Sequence, residues 1–247
     1  MSQKLEFNRN YPTFKDILLD IKSIFLKNSK TIHLARNELK VIEIENINTV
    51  VKAFRVPNLL NQFVYAYIRK SKAYKAFHNA TKLHQLNVST PEAIGYIEFF
   101  ECGLLKESFF ISQEFPYDFT IAHIRDKQPS YKIKVLEDFA EFTYEIHKKG
   151  VWHVDYSGGN ILVKFDGDKY KFSLVDINRM KFFEINLYEG LENFNKLWFN
   201  QEDLTTIAKT YSKLANLNEE KAISKILMYD KKLKDKILFK RKLKGKR

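Results

Sequence analysis

The sequence predicts an α+β chain, with strands gathered in its first half and helices in its second. Three observations carry this. Short apolar runs separated by polar breaks fill 30–54 and return near 94 and 106. A helical stripe of Val135, Leu136, Phe139, Phe142 and Ile146 follows, closed by Gly150 as a C-terminal cap signal. Beyond it, Ile161-Leu162-Val163 and Phe172-Ser173-Leu174-Val175 flank the polar tip Asp166-Gly167-Asp168, the pattern of a β-hairpin.

Taken in order, 1–29 reads as a leading amphipathic helix, because Phe14, Ile17, Leu18, Ile21, Ile24 and Phe25 recur at helical spacing. Residues 30–113 read as a sheet unit. Three short strands lie between Lys30 and Phe54, broken at Arg36-Asn37 and Glu45-Asn46. A helical stretch over roughly 58–86 separates them from two more, about Ile94 to Glu101 and Lys106 to Gln113, making five. Residues 114–230 form a short, mainly helical unit, and 231–247 a basic tail.

The chain has 247 residues, 45% of them apolar, which is ample for the core of one compact unit. No apolar run approaches the roughly 18 residues needed to span a bilayer, and the N-terminus lacks a signal-peptide apolar stretch. Cys102 is the only cysteine, so an intrachain disulfide is excluded and a reducing compartment is expected. No His/Cys cluster has zinc spacing, and there is no internal repeat. Net charge is +12 and unevenly spread. From Asn46 to Pro91 there are seven basic residues and no acid, Glu92 to Asp230 is net −6, and Lys231 to Arg247 is net +9.

The residues that carry chemistry lie past Gly150. His153-Val154-Asp155-Tyr156-Ser157-Gly158-Gly159-Asn160 has the H-x-D-x-x-x-x-N order of a kinase catalytic loop, and Asp176 follows at the end of the hairpin. Asp155 would accept or orient an acceptor hydroxyl. The hairpin would return Asp176 beside Asn160, two oxygen ligands for Mg²⁺ next to the phosphates of ATP. Upstream, Val50, Lys52 and Phe54 share one strand face, so Lys52 sits between apolar neighbours and is the candidate for the α/β-phosphates.

With these residues the chain resembles the lipopolysaccharide kinase family, bacterial enzymes that phosphorylate Kdo or heptose sugars of the inner core. The resemblance runs from about Thr31 to the C-terminus. It rests on Ala35-Arg36-Asn37-Glu38-Leu39-Lys40, Val51-Lys52-Ala53-Phe54, Ser71-Lys72-Ala73, Ser89-Thr90-Pro91-Glu92-Ala93-Ile94-Gly95-Tyr96, Asp155 to Asn160, and Val175-Asp176-Ile177-Asn178-Arg179-Met180. It implies a two-lobed protein-kinase-like fold with a five-stranded antiparallel sheet in the N-lobe. ATP and Mg²⁺ are the implied cofactors, and a lipid A–core sugar the acceptor. Glu114 and Phe115 fall where a kinase hinge offers backbone hydrogen bonds to adenine.

Two departures from that pattern bear on mechanism. No glycine precedes Gly95, so a glycine-rich phosphate loop is absent and the turn at Arg36-Asn37 would cover the phosphates by side-chain donors. No Asp or Glu lies between Glu45 and Glu92, so the helix after the lysine strand cannot supply the usual glutamate partner of Lys52. His78 falls near that position. Lys52 is then expected to be held by packing, by another segment's acid, or by the nucleotide, and to be poorly fixed before nucleotide binds.

Only 71 residues follow Asp176, without an Ala-Pro-Glu element, and Tyr188 is the only hydroxyl residue between Ile177 and Asn200. A phosphorylated Ser/Thr activation segment is therefore disfavoured, and small or membrane-tethered acceptors fit better than peptides. The tail interleaves Ile237, Leu238, Phe239 and Leu243 with lysine and arginine, as membrane-surface segments do. The expectation is a cytoplasmic enzyme bound peripherally to the anionic inner face of the inner membrane. A small Ser/Thr protein kinase and a degenerate kinase-fold scaffold are the alternatives. Nucleic acid is disfavoured as a partner, because the basic residues lack an aromatic-interleaved platform or a base-reading motif.

Overall fold

The computed structural model describes residues 2–28, 31–34, 38–55, 58–243 and 245, with only the backbone for 31–34. The chain divides into two compact units. One comprises Met1–Phe115 and Asp176–Asn178, the other Pro116–Val175 and Arg179–Arg247.

The first unit is built on β1 (Ser2–Phe7), α1 (Phe14–Lys27), β2 (Thr31–Leu34), β3 (Glu38–Ile44) and β4 (Ile47–Arg55). After α2 (Leu59–Phe63) and a π-helical turn at Val64–Ile68 come α3 (Lys72–Gln85), β5 (Ala93–Glu101) and β6 (Leu104–Gln113). The expected antiparallel strands β2–β6 are present, and β1 adds a sixth, in the order β1-β5-β6-β4-β3-β2. Ser2–Phe7 thus departs from the helix expected over 1–29. Its register runs from Ser2 opposite Phe100 to Phe7 opposite Gly95. Its weak apolar pattern did not signal a strand; pairing along β5 supplies the order instead.

The helix begins at Phe14 and uses the stripe read from the sequence. Phe14, Leu18, Ile21 and Phe25 are buried against Ile42, Val51, Ile94, Ile97, Phe109 and Ile111. Each such side chain contributes about 1.5–3 kcal/mol relative to staying exposed. Gly95 permits the close approach, because a Cβ there would lie 2.8 Å from Leu18 Cδ1 and 3.0 Å from the Glu6 carbonyl. Lys40 is buried and caps α1, donating to the carbonyls of Phe25 and Asn28 at 2.7 Å each.

The helical stretch expected over 58–86 is two pieces. The π-helical turn ends at Arg69, which is extended. Ser71 then starts α3 as an N-cap, its hydroxyl accepting from Tyr74 N at 3.0 Å. This cap fixes the phase of α3, so that Ala73, Ala76, Phe77, Ala80 and Leu83 are buried.

The second unit holds β7 (Phe119–Thr120), α4 (Ala122–Lys127), α5 (Lys132–Lys148), β8 (Val151–Trp152), β9 (Ile161–Phe165) and β10 (Tyr170–Leu174). It continues with β11 (Lys181–Phe182), α6 (Leu187–Gly190), α7 (Gln201–Leu214) and α8 (Glu219–Leu243). The hairpin is as read from the sequence, with Ile161 opposite Leu174 and Phe165 opposite Tyr170. Val135, Leu136, Phe139, Ala140 and Ile146 of α5 are buried, as are Ile207, Ala208 and Tyr211 of α7. Gly150 sits at φ +70 just after α5, a left-handed stop that glycine adopts without strain. Lys231, where a tail was expected, lies within α8; Lys244, Lys246 and Arg247 lie outside the described residues. No helix among the described residues is long and apolar enough to cross a membrane.

Candidate active site

In the first unit, β4 presents Lys52 with its side chain only 14% exposed. The ammonium Nζ donates to Asp176 Oδ1 at 2.5 Å and lies 5.3 Å from the centroid of the Phe54 ring. Lys52 is therefore held by another segment's acid, one of the expected means, and is not left loose. Desolvation by Phe54 and the shared burial strengthen this pair relative to an exposed one.

Asp176 has φ +55, in the left-handed region, which is uncommon outside glycine but easiest for Asp and Asn. Two amides fix it there. Asn178 Nδ2 donates to Asp176 Oδ1 at 2.8 Å, and Asn79 Nδ2 of α3 donates to the Ile177 carbonyl at 2.7 Å. Thus α3 reaches the Asp176 segment through Asn79. His78 instead has Nε2 3.2 Å from Glu6 Oε2 of β1, off the hydrogen-bonding axis, and packs its ring on Tyr74 at 4.0 Å. It does not stand in for the missing glutamate. Asn79 was missed in the sequence because an amide beside the buried stripe carries no charge signal; the Ser71 cap, which sets the helical phase, was the readable clue.

Glu114 is exposed, and its N–H donates to the Asn48 carbonyl at 2.8 Å, which spends that donor on the sheet. Its carbonyl is what remains of its backbone for a ligand, and the half-buried Phe115 follows. Arg36 and Asn37 lie outside the described residues.

The second unit holds the loop from His153 to Asn160. His153 is buried, with Nε2 2.9 Å from the Val175 carbonyl and Nδ1 3.1 Å from the Asp155 N–H. Those partners fix the ring as a tautomer: Nε2–H donates and Nδ1 accepts. Asn160 Nδ2 donates to the Asp155 carbonyl at 2.9 Å, and the Val175 N–H donates to the Asn160 carbonyl at 3.0 Å. The two ends of the loop are thereby tied to each other and to the strand end that leads into Asp176. The Asn160 amide nitrogen is thus engaged within the loop.

The outer support of this loop has no sequence signature. Asn193 Nδ2 donates to the His153 carbonyl at 2.9 Å, and its oxygen lies 3.2 Å from His147 Nε2. His147 Nδ1 in turn accepts from the Tyr211 hydroxyl at 2.9 Å. Burial lowers the His147 pKa to about 4, so the ring is neutral and the relay from Tyr211 to His153 is intact at neutral pH. Tyr156 is also fully buried, with its hydroxyl 2.8 Å from the Thr143 hydroxyl, and burial raises its pKa well above the usual phenol range.

Lys196 is a further residue of the loop's surroundings. Its Nζ donates to the Val154 carbonyl at 2.6 Å and to Asp155 Oδ1 at 3.3 Å. The carboxylate of Asp155 thus has a cation beside it and remains more than a third exposed.

The hard oxygen donors suit Mg²⁺, which takes one or two protein oxygens alongside substrate phosphates. Asp176 in the first unit and Asn160 in the second each carry an oxygen of that kind, and among the described residues no group of three His, Cys, Asp or Glu is placed to hold a metal ion.

No family model matches the chain, and no curated protein matches it. Among solved structures, one titled "WaaP in complex with acyl carrier protein" is similar to 94% of this chain and 98% of its own, with a TM-score of 0.63 and 16% identity. Matches extend to 877 solved chains, a breadth that marks a widely used fold and not one activity. The chain adopts an α+β, protein-kinase-like fold.

Proposed function

We propose that the protein is an ATP- and Mg²⁺-dependent phosphotransferase whose acceptor is a hydroxyl of a lipopolysaccharide inner-core sugar. The observation that carries the reading is the ion pair of Lys52 with Asp176, a half-buried amine and a carboxylate joined across 124 residues of sequence. Such a pairing is what a nucleotide site needs: a cation for phosphate oxygens and an anion for their metal. The sugar acceptor is supported by the family resemblance of the motifs; the likeness to WaaP supports the kinase-like fold that such a reaction would use.

In this reading Lys52 exchanges its contact with Asp176 for the α/β-phosphates, and Asp176 and Asn160 hold Mg²⁺. A metal held there would supply positive charge against the negative charge that builds up during transfer. Asp155 orients the acceptor hydroxyl and takes its proton as oxygen bonds to the γ-phosphorus and the bond to ADP breaks. The rigid loop, tied through His153 and Asn160, keeps that carboxylate in position. Lys196 offsets the negative charge around Asp155. Adenine would take backbone groups of Glu114 and Phe115, while Arg36 and Asn37 would cover the phosphates.

We further propose that the acceptor is lipid-anchored and met at the cytoplasmic membrane face, with the basic end of α8 attracted to anionic lipid. The test is direct. Purified protein, ATP and Mg²⁺ are incubated with lipid A–core acceptor and, in parallel, with a protein substrate mixture. One added phosphate on the glycolipid supports the reading; phosphate only on protein hydroxyls replaces it with a Ser/Thr kinase. Nucleotide binding with no transfer to either leaves a kinase-fold scaffold.

A further inference from the structure

The first unit carries an exposed apolar ridge that has no part in the chemistry above. Leu59 and Leu60 of α2, Phe63, and Tyr67 and Ile68 of the π-helical turn are between 49% and 75% exposed. Five large apolar side chains within ten residues are far more than the scattered exposure of an ordinary surface. The element is fixed in place. Asn58 caps α2 by accepting from Asn61 N at 2.9 Å, Lys106 Nζ donates to Gln62 Oε1 at 3.0 Å, and the rings of Phe63 and Tyr67 lie 5.0 Å apart. Tyr67 also rests on the β5–β6 turn, where a Cβ on Gly103 would meet its hydroxyl at 2.7 Å.

Charge identifies the occupant. Arg55, Arg69 and Lys70 are exposed at the two ends of this element, and no acid occurs anywhere between Asn46 and Pro91. The acid opposite Arg55 in the sheet, Glu107, is already paired with Lys22; Glu101 precedes the β5–β6 turn. Apolar side chains standing proud, rimmed by cations, match the boundary of an anionic bilayer, where hydrocarbon lies just beneath negative headgroups.

We propose that residues 58–70 form a membrane-docking element that inserts Leu59, Leu60 and Ile68 among the lipids while Arg55, Arg69 and Lys70 meet the phosphates. This deepens the reading of a lipid-anchored acceptor by adding an insertion site in the first unit, separate from the basic end of α8. Its test does not depend on kinase activity. The full chain is mixed with vesicles of phosphatidylglycerol and phosphatidylethanolamine, or of phosphatidylcholine alone, and sedimented.

Binding is expected on the anionic vesicles and little on the neutral ones. A triple variant Leu59→Gln, Leu60→Gln, Ile68→Gln is expected to lose roughly tenfold or more in partition, because the short-range apolar contribution is removed. These side chains are exposed, so the fold is retained, which an unchanged thermal transition checks. Leu60→Trp is expected to show a blue-shifted emission on anionic vesicles beyond that of the two native tryptophans. In contrast, Lys240→Gln with Arg241→Gln and Lys242→Gln is expected to weaken vesicle binding but keep the Leu60→Trp shift at saturating lipid. Undiminished vesicle binding by the apolar triple variant overturns the proposal, whether or not that variant has lost affinity for a soluble acidic protein. An emission at position 60 that ignores vesicles overturns it as well.

Discussion

Lys52 Nζ lies 2.5 Å from Asp176 Oδ1, so the cation that has no acid on the neighbouring helix is partnered by the acid that would hold the metal. The two charges satisfy each other in this structure; in the proposed reading, Mg²⁺ and ATP would give each a stronger counter-charge, so that neither would be left stranded on binding.

It follows that Lys52→Met loses most activity, by roughly two orders of magnitude or more at saturating ATP, since a phosphate clamp acts in the transition state. His78→Ala is expected to stay within a few-fold of wild type, because His78 faces Glu6 and Tyr74 and not Lys52. Steady-state kinetics of both variants tests this. Equal damage from the two would mean that α3 supports the site through His78 after all.

Asn79 is the residue by which α3 holds the Asp176 segment. Replacing it with Ala removes a part-buried hydrogen bond to the Ile177 carbonyl and is expected to cost about 1 kcal/mol in stability. Nucleotide affinity should fall more in the presence of Mg²⁺ than in its absence, because Asp176 loses its fixed position. Calorimetric titration with and without the metal measures the difference; an identical loss in both would limit Asn79 to a structural role.

Lys196 is expected to act as a positioning residue through Asp155. Lys196→Met should lower kcat roughly tenfold while leaving the KM for ATP near its wild-type value. Lys196→Arg should restore part of that loss. A rise in KM for ATP with kcat unchanged would instead mark Lys196 as a nucleotide contact.

Much of this was legible in the sequence, and what was not follows from physical causes. The β9–β10 hairpin was readable because its two strands and polar tip are contiguous, and α5 because five apolar residues recur over twelve positions. Lys52, Asp155, Asn160 and Asp176 stood out by residue type and spacing. Ser2–Phe7 was not readable as a strand, since its order comes from pairing with β5, some ninety residues away. Lys196, Asn193 and Asn79 were invisible for a related reason. Each reaches a backbone carbonyl from a distant segment, and a backbone carbonyl has no sequence signature.

His147 gives a dependence on pH with a definite sign. Its folded pKa is about 4 against the usual 6.5 of histidine, so the unfolded chain binds the proton more readily between those values. Stability is therefore full above about pH 6.5 and falls as pH drops toward 4, by about 3 kcal/mol in all from this group. Urea unfolding at pH 4.5 and 7.5 reads the difference. His147→Gln is expected to flatten that slope while lowering stability at pH 7.5, because Gln cannot reproduce both ring contacts. An acid slope that is the same in the variant would assign the effect to other groups.

The most direct test of the central claim is single-turnover phosphate transfer to lipid A–core acceptor, followed by mass spectrometry, with Asp155→Asn and Asp176→Ala beside the wild type. The account predicts one added phosphate with the wild-type protein. Asp155→Asn should bind ATP as well as wild type and transfer roughly a hundredfold more slowly or worse, as for lost general-base help. Asp176→Ala should fail earlier, by weakened binding of Mg²⁺-ATP. Wild-type rates in Asp155→Asn, or nucleotide affinity indifferent to Mg²⁺ in both the wild type and Asp176→Ala, would contradict it.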